Sequence, residues 1–363
     1  MEQISARQLG ALVFVTRMGM AIVRLPAIKH VKQGPDAWLG VLVGTLAGVL
    51  ALWALLSLIV RRPGRDLLDL SVEALGPYFG RAAGAMYVLW FAWDAMVSMR
   101  LYSGLLFAQP LPETPAEAMI FMLGAGAAYA ALQGPEVVGR LGGMLAPVIF
   151  VGAVLVLTLG INQMDPKNLK PFLGYGGLPV FRSALFPAFA FSETLACSLL
   201  LPYSKEPRKA VRGALAGAVA GGLVTALGAA AVVMFYGSTQ ATRLAYPLYD
   251  LARSVSFGEF FERMDPLFIV MWTVASYIKV AMLIWAVARG LSKLLGLKRV
   301  SELVFPLTLL FSFGAMRTYG NQAEISTLTS VQVYPLLTFP FLIGIPALLL
   351  AAVTIRGSRG RSS

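Results

Sequence analysis

Ten long apolar stretches separated by short polar connections constrain what this chain of 363 residues can fold into. A membrane-spanning helix needs about 20 consecutive, mostly apolar residues, and the stretches approach or exceed that length. They lie at roughly 8–28, 37–60, 81–108, 116–133, 141–161, 179–201, 210–236, 265–288, 302–316 and 331–355. None alternates apolar and polar residues as barrel strands do. With 58% apolar and 13% charged residues, the sequence predicts an all-α polytopic membrane protein of about ten transmembrane helices, forming a single transmembrane domain over 1–363.

The distribution of Lys and Arg predicts the orientation of these helices. The formal net charge of +12 would suggest a nucleic-acid partner in a soluble protein. If the stretches cross the membrane in alternation, however, one set of connections holds 17 Lys and Arg residues and the opposite set holds 9. Basic residues accumulate on the cytoplasmic side of a membrane. We therefore expect both termini in the cytoplasm, the lipid bilayer as a partner and no nucleic acid.

Two of the stretches contain residues that disturb a helix. The first has the sequence Thr-Arg-Met-Gly-Met at 16–20 and Pro26 near its end, and the sixth has Pro187 shortly before Glu193. Interrupted helices at equivalent positions of inverted repeats point to a substrate site near the membrane midplane, where unwound backbone exposes peptide groups. Gly and Pro also occur in membrane helices for packing alone, and that reading stays open for each break.

The two interrupted stretches open two halves of five. We expect a first repeat at about 8–161 and a second at about 179–355, which are inverted because five is odd. The longest external connection, about 237–264, is rich in aromatic residues, and we expect a lid or a short amphipathic helix there. In the seventh stretch Gly213, Gly217 and Gly221 recur every fourth residue, a pattern typical of close helix packing.

Several ionisable side chains fall inside apolar stretches, where each costs about 2.5–3.5 kcal/mol unless it is paired or hydrated. They are Arg17, Arg24, Asp94, Arg100, Glu193 and Lys279. We expect Arg24 to extend to the membrane surface and Arg100 to serve as an anchor or structural partner. Glu193 follows the break in the sixth stretch. It either contacts a ligand or takes up protons, or it pairs structurally with Lys279 or Arg17.

The sequence lacks the motifs that usually mark an enzyme. There is no Gly-rich phosphate loop, nucleophile elbow or metal-ligand spacing. The single cysteine, Cys197, excludes an intrachain disulfide, and the single histidine, His30, excludes a zinc site of the His/Cys type. We predict a protein that is not an enzyme and needs no cofactor.

Short motifs along nearly the whole chain carry a family resemblance. They are Ile-Ser-Ala-Arg-Gln-Leu at 4–9, Asp-Ala-Trp-Leu at 36–39, Leu-Pro-Glu-Thr-Pro at 111–115, Tyr-Pro at 246–247 and Phe-Phe-Glu-Arg-Met-Asp at 260–265, followed by Trp272 and Lys279. With these motifs the chain resembles a B subunit of the spore germinant receptors, the endospore germination permease branch of the amino acid/polyamine/organocation superfamily.

The resemblance implies a LeuT/APC-type fold of five plus five inverted spans with broken helices 1 and 6. It implies a pocket between spans one, three, six and eight that binds a small-molecule germinant, often an amino acid. The partners it implies are a membrane-bound A subunit and a C-subunit lipoprotein, in the inner spore membrane or cell membrane. Carried over by position, the pocket residues are Thr16, Met18, Gly19, Met20, Val97, Phe191, Glu193, Thr194, Ser276 and Lys279. In this architecture Lys279 faces the first span, where sodium-coupled relatives often hold an ion, and one hypothesis is that its ammonium replaces that sodium ion.

Arg17 and Arg24 depart from the small, apolar first span expected of relatives. A carboxylate-rich ligand, or pairing of Arg17 with Glu193, would explain Arg17. The sequence favours a sensor in which ligand binding changes the conformation and signals to partner subunits. A proton-coupled transporter of amino acids or amines is the alternative, and a ligand-opened ion or water pathway is a third hypothesis.

Overall fold

Helices account for almost all of the chain that the structure describes. The computed structural model describes residues 3–21, 35–255, 264–317, 327–328 and 330–359, of which 20, 21 and 356–359 are described by backbone alone. The main helices are α1 (Ala6–Ala21), α2 (Ala37–Ile59), α3 (Leu67–Leu75), α4 (Pro77–Ala108), α5 (Ala116–Leu132), α6 (Pro135–Leu159), α7 (Gly177–Phe189), α8 (Pro207–Ala241), α9 (Pro247–Ser254), α10 (Asp265–Leu295), α11 (Ser301–Arg317), α12 (Tyr334–Phe339) and α13 (Ile345–Arg359). In these ranges the one extended pairing is an isolated bridge between Ile4 and Ser204.

Each predicted span overlaps a helix. Seven helical segments within the described ranges are long and apolar enough to cross a membrane by length and composition, counting Gly177–Tyr203 and Tyr334–Ile355 as continuous segments. The remaining three predicted spans coincide with α1, α5 and α11, which have 16, 17 and 17 residues. At 1.5 Å per residue these helices are about 24–26 Å long, close to the thickness of the hydrocarbon core. The predicted all-α membrane fold is confirmed.

The packing of the helices repeats between the two halves of the chain. The most extensive contacts join α1 to α8 and α2 to α7. If the spans of the two halves are paired in order, α1 corresponds to α7, α2 to α8, α4 to α10 and α5 to α11. This exchange converts the α1–α8 interface into the α7–α2 interface. The same exchange maps the contact of α5 with α10 onto that of α4 with α11, and it maps the contact between α4 and α10 onto itself. The helices that open each half therefore lie at equivalent places around the central α4–α10 pair.

The two helices predicted to be interrupted differ in the structure. α1 keeps α-helical conformation through 16–20 and ends at Ala21, so no interruption occurs within those five residues; Arg24 and Pro26 lie outside the described residues. α7 ends at Phe189, and the chain continues as a 3₁₀-helix, Ala190–Tyr203. Runs of 3₁₀-helix longer than three or four residues are uncommon, and this one has 14. The disturbance predicted around Pro187 and Glu193 therefore takes the form of a change in helix type at Ala190.

The glycine stripe of the seventh span brings α8 close to α1. A Cβ atom at Gly213 would lie 2.1 Å from the carbonyl oxygen of Ala6, and one at Gly217 would lie 1.9 Å from that of Gly10. A Cβ at Gly221 would lie 3.0 Å from the Cβ of Arg17. No larger residue fits the first two positions without moving a helix, so the packing role predicted for the stripe agrees with the structure.

The connection at about 237–264, which the sequence predicts to be external, contains the short helix α9. Its residues Tyr249 and Leu251 are buried, and the helix packs against α8 and α10. The Tyr236 hydroxyl at the end of α8 lies 2.8 Å from the Ser254 hydroxyl. Residues 256–263, which include most of the motif at 260–265, lie outside the described residues.

An ion-pair cluster fixes the amphipathic helix α3 to the end of α10. The Asp66 side chain caps α3 by accepting from the backbone N–H groups of Leu68 and Asp69, and Lys293 binds both Asp66 and Asp69, the latter at 2.7 Å. Burial acts to raise the pKa of Asp69, but hydrogen bonds from Lys293 and from the Asp66 N–H lower that pKa below its ordinary value. The cluster ties a surface helix to the central pair.

Candidate functional site

Three charged side chains from three different helices meet in the middle of the bundle. Lys279 on α10 places its Nζ 2.6 Å from Glu193 Oε2 in the 3₁₀ segment and 3.0 Å from Asp94 Oδ1 on α4. The three side chains are only 1–3% exposed. An isolated charge at this depth would be strongly destabilising. The three charges are tolerated because both carboxylates bind the same ammonium.

Two hydroxyl groups extend this cluster. The Tyr334 hydroxyl on α12 donates to Glu193 Oε1 at 2.8 Å, and the Ser98 hydroxyl donates to Asp94 Oδ1 at 3.3 Å. Asp94 Oδ2 is buried and has no hydrogen-bond partner among the described residues. Glu193 is thus bonded through both oxygens, whereas Asp94 keeps one oxygen available.

Arg17 is the second buried cation of the site, and it is held differently. Its guanidinium carbon lies 4.1 Å from the centre of the Phe191 ring, and Nη2 donates to the Pro187 carbonyl oxygen at 3.4 Å. The side chain is 3% exposed, its Nε has no hydrogen-bond partner and it forms no ion pair within the described part of the chain. Glu193 pairs with Lys279 and not with Arg17, which decides between the two structural pairs considered from the sequence. Arg17 keeps donor capacity for an anion.

Gly19 allows α1 to approach Lys279 closely. A Cβ atom at Gly19 would lie 3.3 Å from Lys279 Cδ and 3.7 Å from the Ala275 carbonyl oxygen. The Gly19 carbonyl oxygen accepts a hydrogen bond from Trp272 Nε1 at 3.2 Å. A larger side chain at this position would press on the aliphatic part of Lys279, because both neighbouring groups belong to the buried face of α10.

Side chains satisfy the backbone carbonyl groups around the helix break. The carbonyl oxygens of Gly19, Pro187 and Ser192 accept from Trp272, Arg17 and Trp90, respectively. The sequence predicts free peptide groups here, available to a ligand. In the described conformation the protein's own side chains occupy these three oxygens.

The remaining predicted pocket residues lie near the cluster without joining it. Val97 and Ser276 are buried one turn from Asp94 and Lys279, and the hydroxyl groups of Thr16 and Thr194 bond to the carbonyl oxygens of Leu12 and Phe191 in their own helices. Met18 lines a separate cavity of about 40 Å³ together with Thr225, Phe268 and Met271. The side chain of Met20 lies outside the described residues. Arg100 bonds to Ser103 on its own helix.

Aromatic side chains surround Tyr334, and the sequence does not point to them. The Tyr334 ring lies 4.7 Å from that of Phe186 and 6.3 Å from that of Trp90, and Trp90 stacks on Phe341 at 5.0 Å between ring centres. This packing aims the Tyr334 hydroxyl at Glu193. Tyr334 carries no signal in the sequence that distinguishes it from other aromatic residues of an apolar span, whereas the charge of Asp94 marks it directly.

Four buried ionisable side chains are grouped in this site. In their ordinary ionised forms Asp94 and Glu193 carry two negative charges and Arg17 and Lys279 carry two positive charges, so the formal charges of the four groups sum to zero. Within the described residues no group of three or more His, Cys, Asp or Glu side chains could hold a metal ion. The arrangement can exchange an internal ion pair for contacts with a charged ligand.

Comparison with solved structures identifies the fold. The chain superposes on the nucleobase-cation-symport-1 family transporter Mhp1, solved in a closed conformation with bromovinylhydantoin bound, with a TM-score of 0.68 at 12% identity over 96% of this chain and 77% of that one. It superposes on MhsT in complex with L-phenylalanine with a TM-score of 0.66 at 13% identity over 98% and 99% of the two chains. The protein therefore has a LeuT/APC-type fold, the five-plus-five architecture of many membrane transporters.

Sequence comparison identifies the family. The model of the spore germination protein family matches residues 3–323, and the chain belongs to that family. Spore germination protein KB of Bacillus subtilis (strain 168) is 25% identical over 85% of this chain and 83% of its own length. Spore germination protein YndE of the same organism is 22% identical over 94% and 95%, and spore germination protein XB of Bacillus anthracis is 24% identical over 76% and 78%. The resemblance stated from the sequence is confirmed, and the chain is not an enzyme.

Proposed function

We propose that the protein is the nutrient-sensing subunit of a spore germinant receptor, which binds a small amino acid or a related ligand at the central cluster. Family membership and the transporter fold support this proposal. The observation that carries it is the buried, self-neutralised group of Arg17, Asp94, Glu193 and Lys279 beside a change in helix type. Buried charge is retained in membrane proteins chiefly where ligands or ions are handled.

The unpaired hydrogen-bond donor and acceptor of the site match the two charged groups of an amino acid zwitterion. The guanidinium of Arg17 has an Nε donor without a partner among the described residues, which suits the carboxylate of a ligand. Asp94 Oδ2 is an unpaired acceptor in the same part of the chain, which suits the ligand's ammonium. A zwitterion has no net charge, so the site remains neutral in sum when it binds.

Signalling would follow from competition with the internal ion pairs. Lys279 holds the position that a bound cation would take between Asp94 and Glu193, which supports the hypothesis that its ammonium replaces a sodium ion. A ligand that binds better after these contacts rearrange shifts the conformational equilibrium by the difference between its two affinities. Since Lys279, Glu193 and Tyr334 lie on three different elements, loosening one contact alters how those elements pack.

The discriminating test of the binding site compares Gly19→Leu with Gly177→Leu. A Cβ atom at Gly177 would have no other group within 4 Å, whereas one at Gly19 would lie 3.3 Å from Lys279. In spores whose only germinant receptor contains this chain, we expect Gly19→Leu to abolish the loss of optical density in response to nutrient. Immunoblots of the membrane fraction should show both variants at normal levels. A normal response by Gly19→Leu would refute the assignment of the site.

Arg17 gives a second test, directed at the ligand's carboxylate. A screen of amino acids by thermal shift on the detergent-solubilised chain first identifies the ligand. Arg17→Gln should then weaken binding of that amino acid by about 10- to 100-fold, the usual effect of a charge-assisted hydrogen bond of about 1.5–3 kcal/mol. The corresponding decarboxylated amine should bind the variant and the wild type equally. Equal weakening of both compounds would exclude a direct role for Arg17 toward the carboxylate.

A proton-coupled transporter of amino acids or amines is the second candidate. The buried carboxylates of Asp94 and Glu193 favour it, because such groups carry protons in many pumps and transporters. Purified chain in liposomes should be given a labelled amino acid and an imposed proton gradient. Accumulation above the external concentration would support transport, whereas binding without accumulation would support the sensor. Net ion flux without substrate accumulation would indicate the ligand-opened pathway.

The assembly and orientation are also proposals. We propose that the chain works with a germinant receptor A subunit and a C-subunit lipoprotein in the inner spore membrane, with both termini in the cytoplasm. Co-purification of tagged chain from spores tests the partners. Cys197 is the single cysteine and is buried, so a cysteine introduced at Ser5 can be labelled against a low background, and protection from an impermeant thiol reagent outside intact cells is the expected result.

A further inference from the structure

A large open groove runs between α1, α6 and α8, apart from the central cluster. Its volume is about 1010 Å³. Its apolar walls include Phe14 on α1, Met144 and Phe150 on α6, and Ala220 on α8. Met144 and Phe150 are 71% and 47% exposed, so the groove opens toward the surroundings of the bundle.

One end of the groove is strongly basic. Arg7, Arg140, Lys209 and Arg212 line it, each within the first two turns of its helix. Arg140 is paired with Glu136, and Lys209 with Glu206 at 2.5 Å. Arg7 and Arg212 are exposed and form no ion pair within the described ranges. The end therefore presents uncompensated positive charge beside three helix N-termini, which also favour anions.

The apolar part extends from this end into the depth of the membrane. Phe150 follows Arg140 by ten residues and Ala220 follows Arg212 by eight, distances of about 15 Å and 12 Å along a helix. Many of the residues that line the groove are small, including Gly143, which leaves room for one flexible chain to lie along it. A basic head and an apolar recess running inward from it match the two parts of a phospholipid.

We propose that this groove binds one anionic phospholipid, with its phosphate between Arg7 and Arg212 and an acyl chain along the recess. The positive charge at the basic end favours an anionic lipid as the occupant. A membrane helix of a partner protein would need acidic residues opposite this basic end. The apolar part and the basic end of the groove lie on the same three helices. One of these helices, α1, also carries Arg17 and Gly19 of the central site. A lipid bound here therefore contacts the helix that borders the proposed ligand site.

Lipid titration of the full detergent-solubilised chain, followed by native mass spectrometry, tests the proposal. Palmitoyl-oleoyl phosphatidylglycerol should bind at one site more tightly than palmitoyl-oleoyl phosphatidylcholine, and glycerol phosphate should not bind. Each of Arg7→Gln and Arg212→Gln should weaken phosphatidylglycerol binding about fivefold, and the double variant about 25-fold. Lys298→Gln, which removes an exposed Lys distant in sequence from the groove helices, is the control and should bind as the wild type does.

A second pair of variants tests the apolar recess. Ala216 lines the groove, and Val219 on the same helix is 41% exposed but does not line it. Ala216→Phe should lose phosphatidylglycerol binding, whereas Val219→Phe should retain it. Equal binding of the two lipids, or full binding by Ala216→Phe, would overturn the proposal. Unchanged lipid binding by Ala216→Phe with loss of a co-purifying membrane subunit would assign the groove to a partner helix instead.

Discussion

Replacing Lys279 with Met tests whether the central ion cluster is a structural unit. The substitution keeps an unbranched apolar stem of similar length and removes the ammonium. In the structure that ammonium is 2.6 Å from one carboxylate and 3.0 Å from the other, at 2% exposure. Glu193 would keep only its bond from Tyr334, and Asp94 only its bond from Ser98. The two buried carboxylates would then lose the cation that they share.

The expected loss of stability follows from the buried position of these groups. Removing one partner of a buried ion pair costs about 3–5 kcal/mol, because the other partner is left charged and desolvated. Removing all four charges together costs much less, since neutral groups of similar volume carry a far smaller desolvation penalty than ions do. The quadruple variant Arg17→Gln, Lys279→Met, Glu193→Gln, Asp94→Asn should therefore lie within about 2 kcal/mol of the wild type, with a coupling energy of several kcal/mol between its members.

Unfolding in mixed micelles provides the measurement. Titration with sodium dodecyl sulfate, followed by tryptophan fluorescence, yields the free energy of unfolding, and Trp272 reports from about two turns away on α10. Lys298→Met is the matched control, because Lys298 is exposed just beyond the end of the same helix, and it should leave the free energy of unfolding unchanged. A loss below about 1 kcal/mol for Lys279→Met, or a quadruple variant as unstable as the sum of its single variants, would refute the ion-cluster argument.

Further substitutions test the supports of the site. Tyr334→Phe removes a hydrogen bond to a buried carboxylate and should cost about 1.5–3 kcal/mol in the same unfolding titration, an effect that falls to about 0.5–1.5 kcal/mol in a Glu193→Gln background, where the acceptor is uncharged. Gly217→Ala forces apart two helices in contact and should cost about 1–3 kcal/mol, whereas Gly177→Ala, with open space around it, should be tolerated in both stability and membrane yield. Asp66→Ala removes a helix cap and an ion-pair partner of Lys293 and should lower the free energy of unfolding by about 2 kcal/mol, with faster proteolysis around α3.

The membrane fold was predictable because a single physical requirement controls it. Every backbone group in lipid must be bonded within a helix, so length and hydropathy alone locate the spans. The glycine stripe on α8 was also readable, since only small residues allow the backbone approach seen at Gly213 and Gly217. The interruption of α1 within 16–20 was not correctly predicted, because a single Gly is tolerated inside a membrane helix when its neighbours satisfy the backbone.

The site was only partly predictable. Charge at membrane depth identified Asp94, Glu193 and Lys279 individually, and the structure joins them at one point. The sequence could not predict whether Glu193 pairs with Arg17 or with Lys279. The answer depends on how closely α1 and α10 each approach Glu193 in the packed bundle. Tyr334 was missed altogether, since a hydroxyl in an aromatic span becomes specific only when packing aims it at a carboxylate.

The neutral sum of the central charges restricts the ligands that the site can accept. A ligand that carries net charge would leave one uncompensated charge at the centre, and an ionisable group there costs several kcal/mol unless it is paired. A zwitterion leaves the sum unchanged, and it can supply an ammonium for Asp94 and a carboxylate for Arg17 while Lys279 stays with Glu193. In a thermal-shift screen, neutral amino acids should therefore outrank their lysine-like and glutamate-like counterparts. Neutralising Asp94 to Asn should shift that ranking toward anionic ligands, and an unchanged ranking would show that these four charges do not select the ligand.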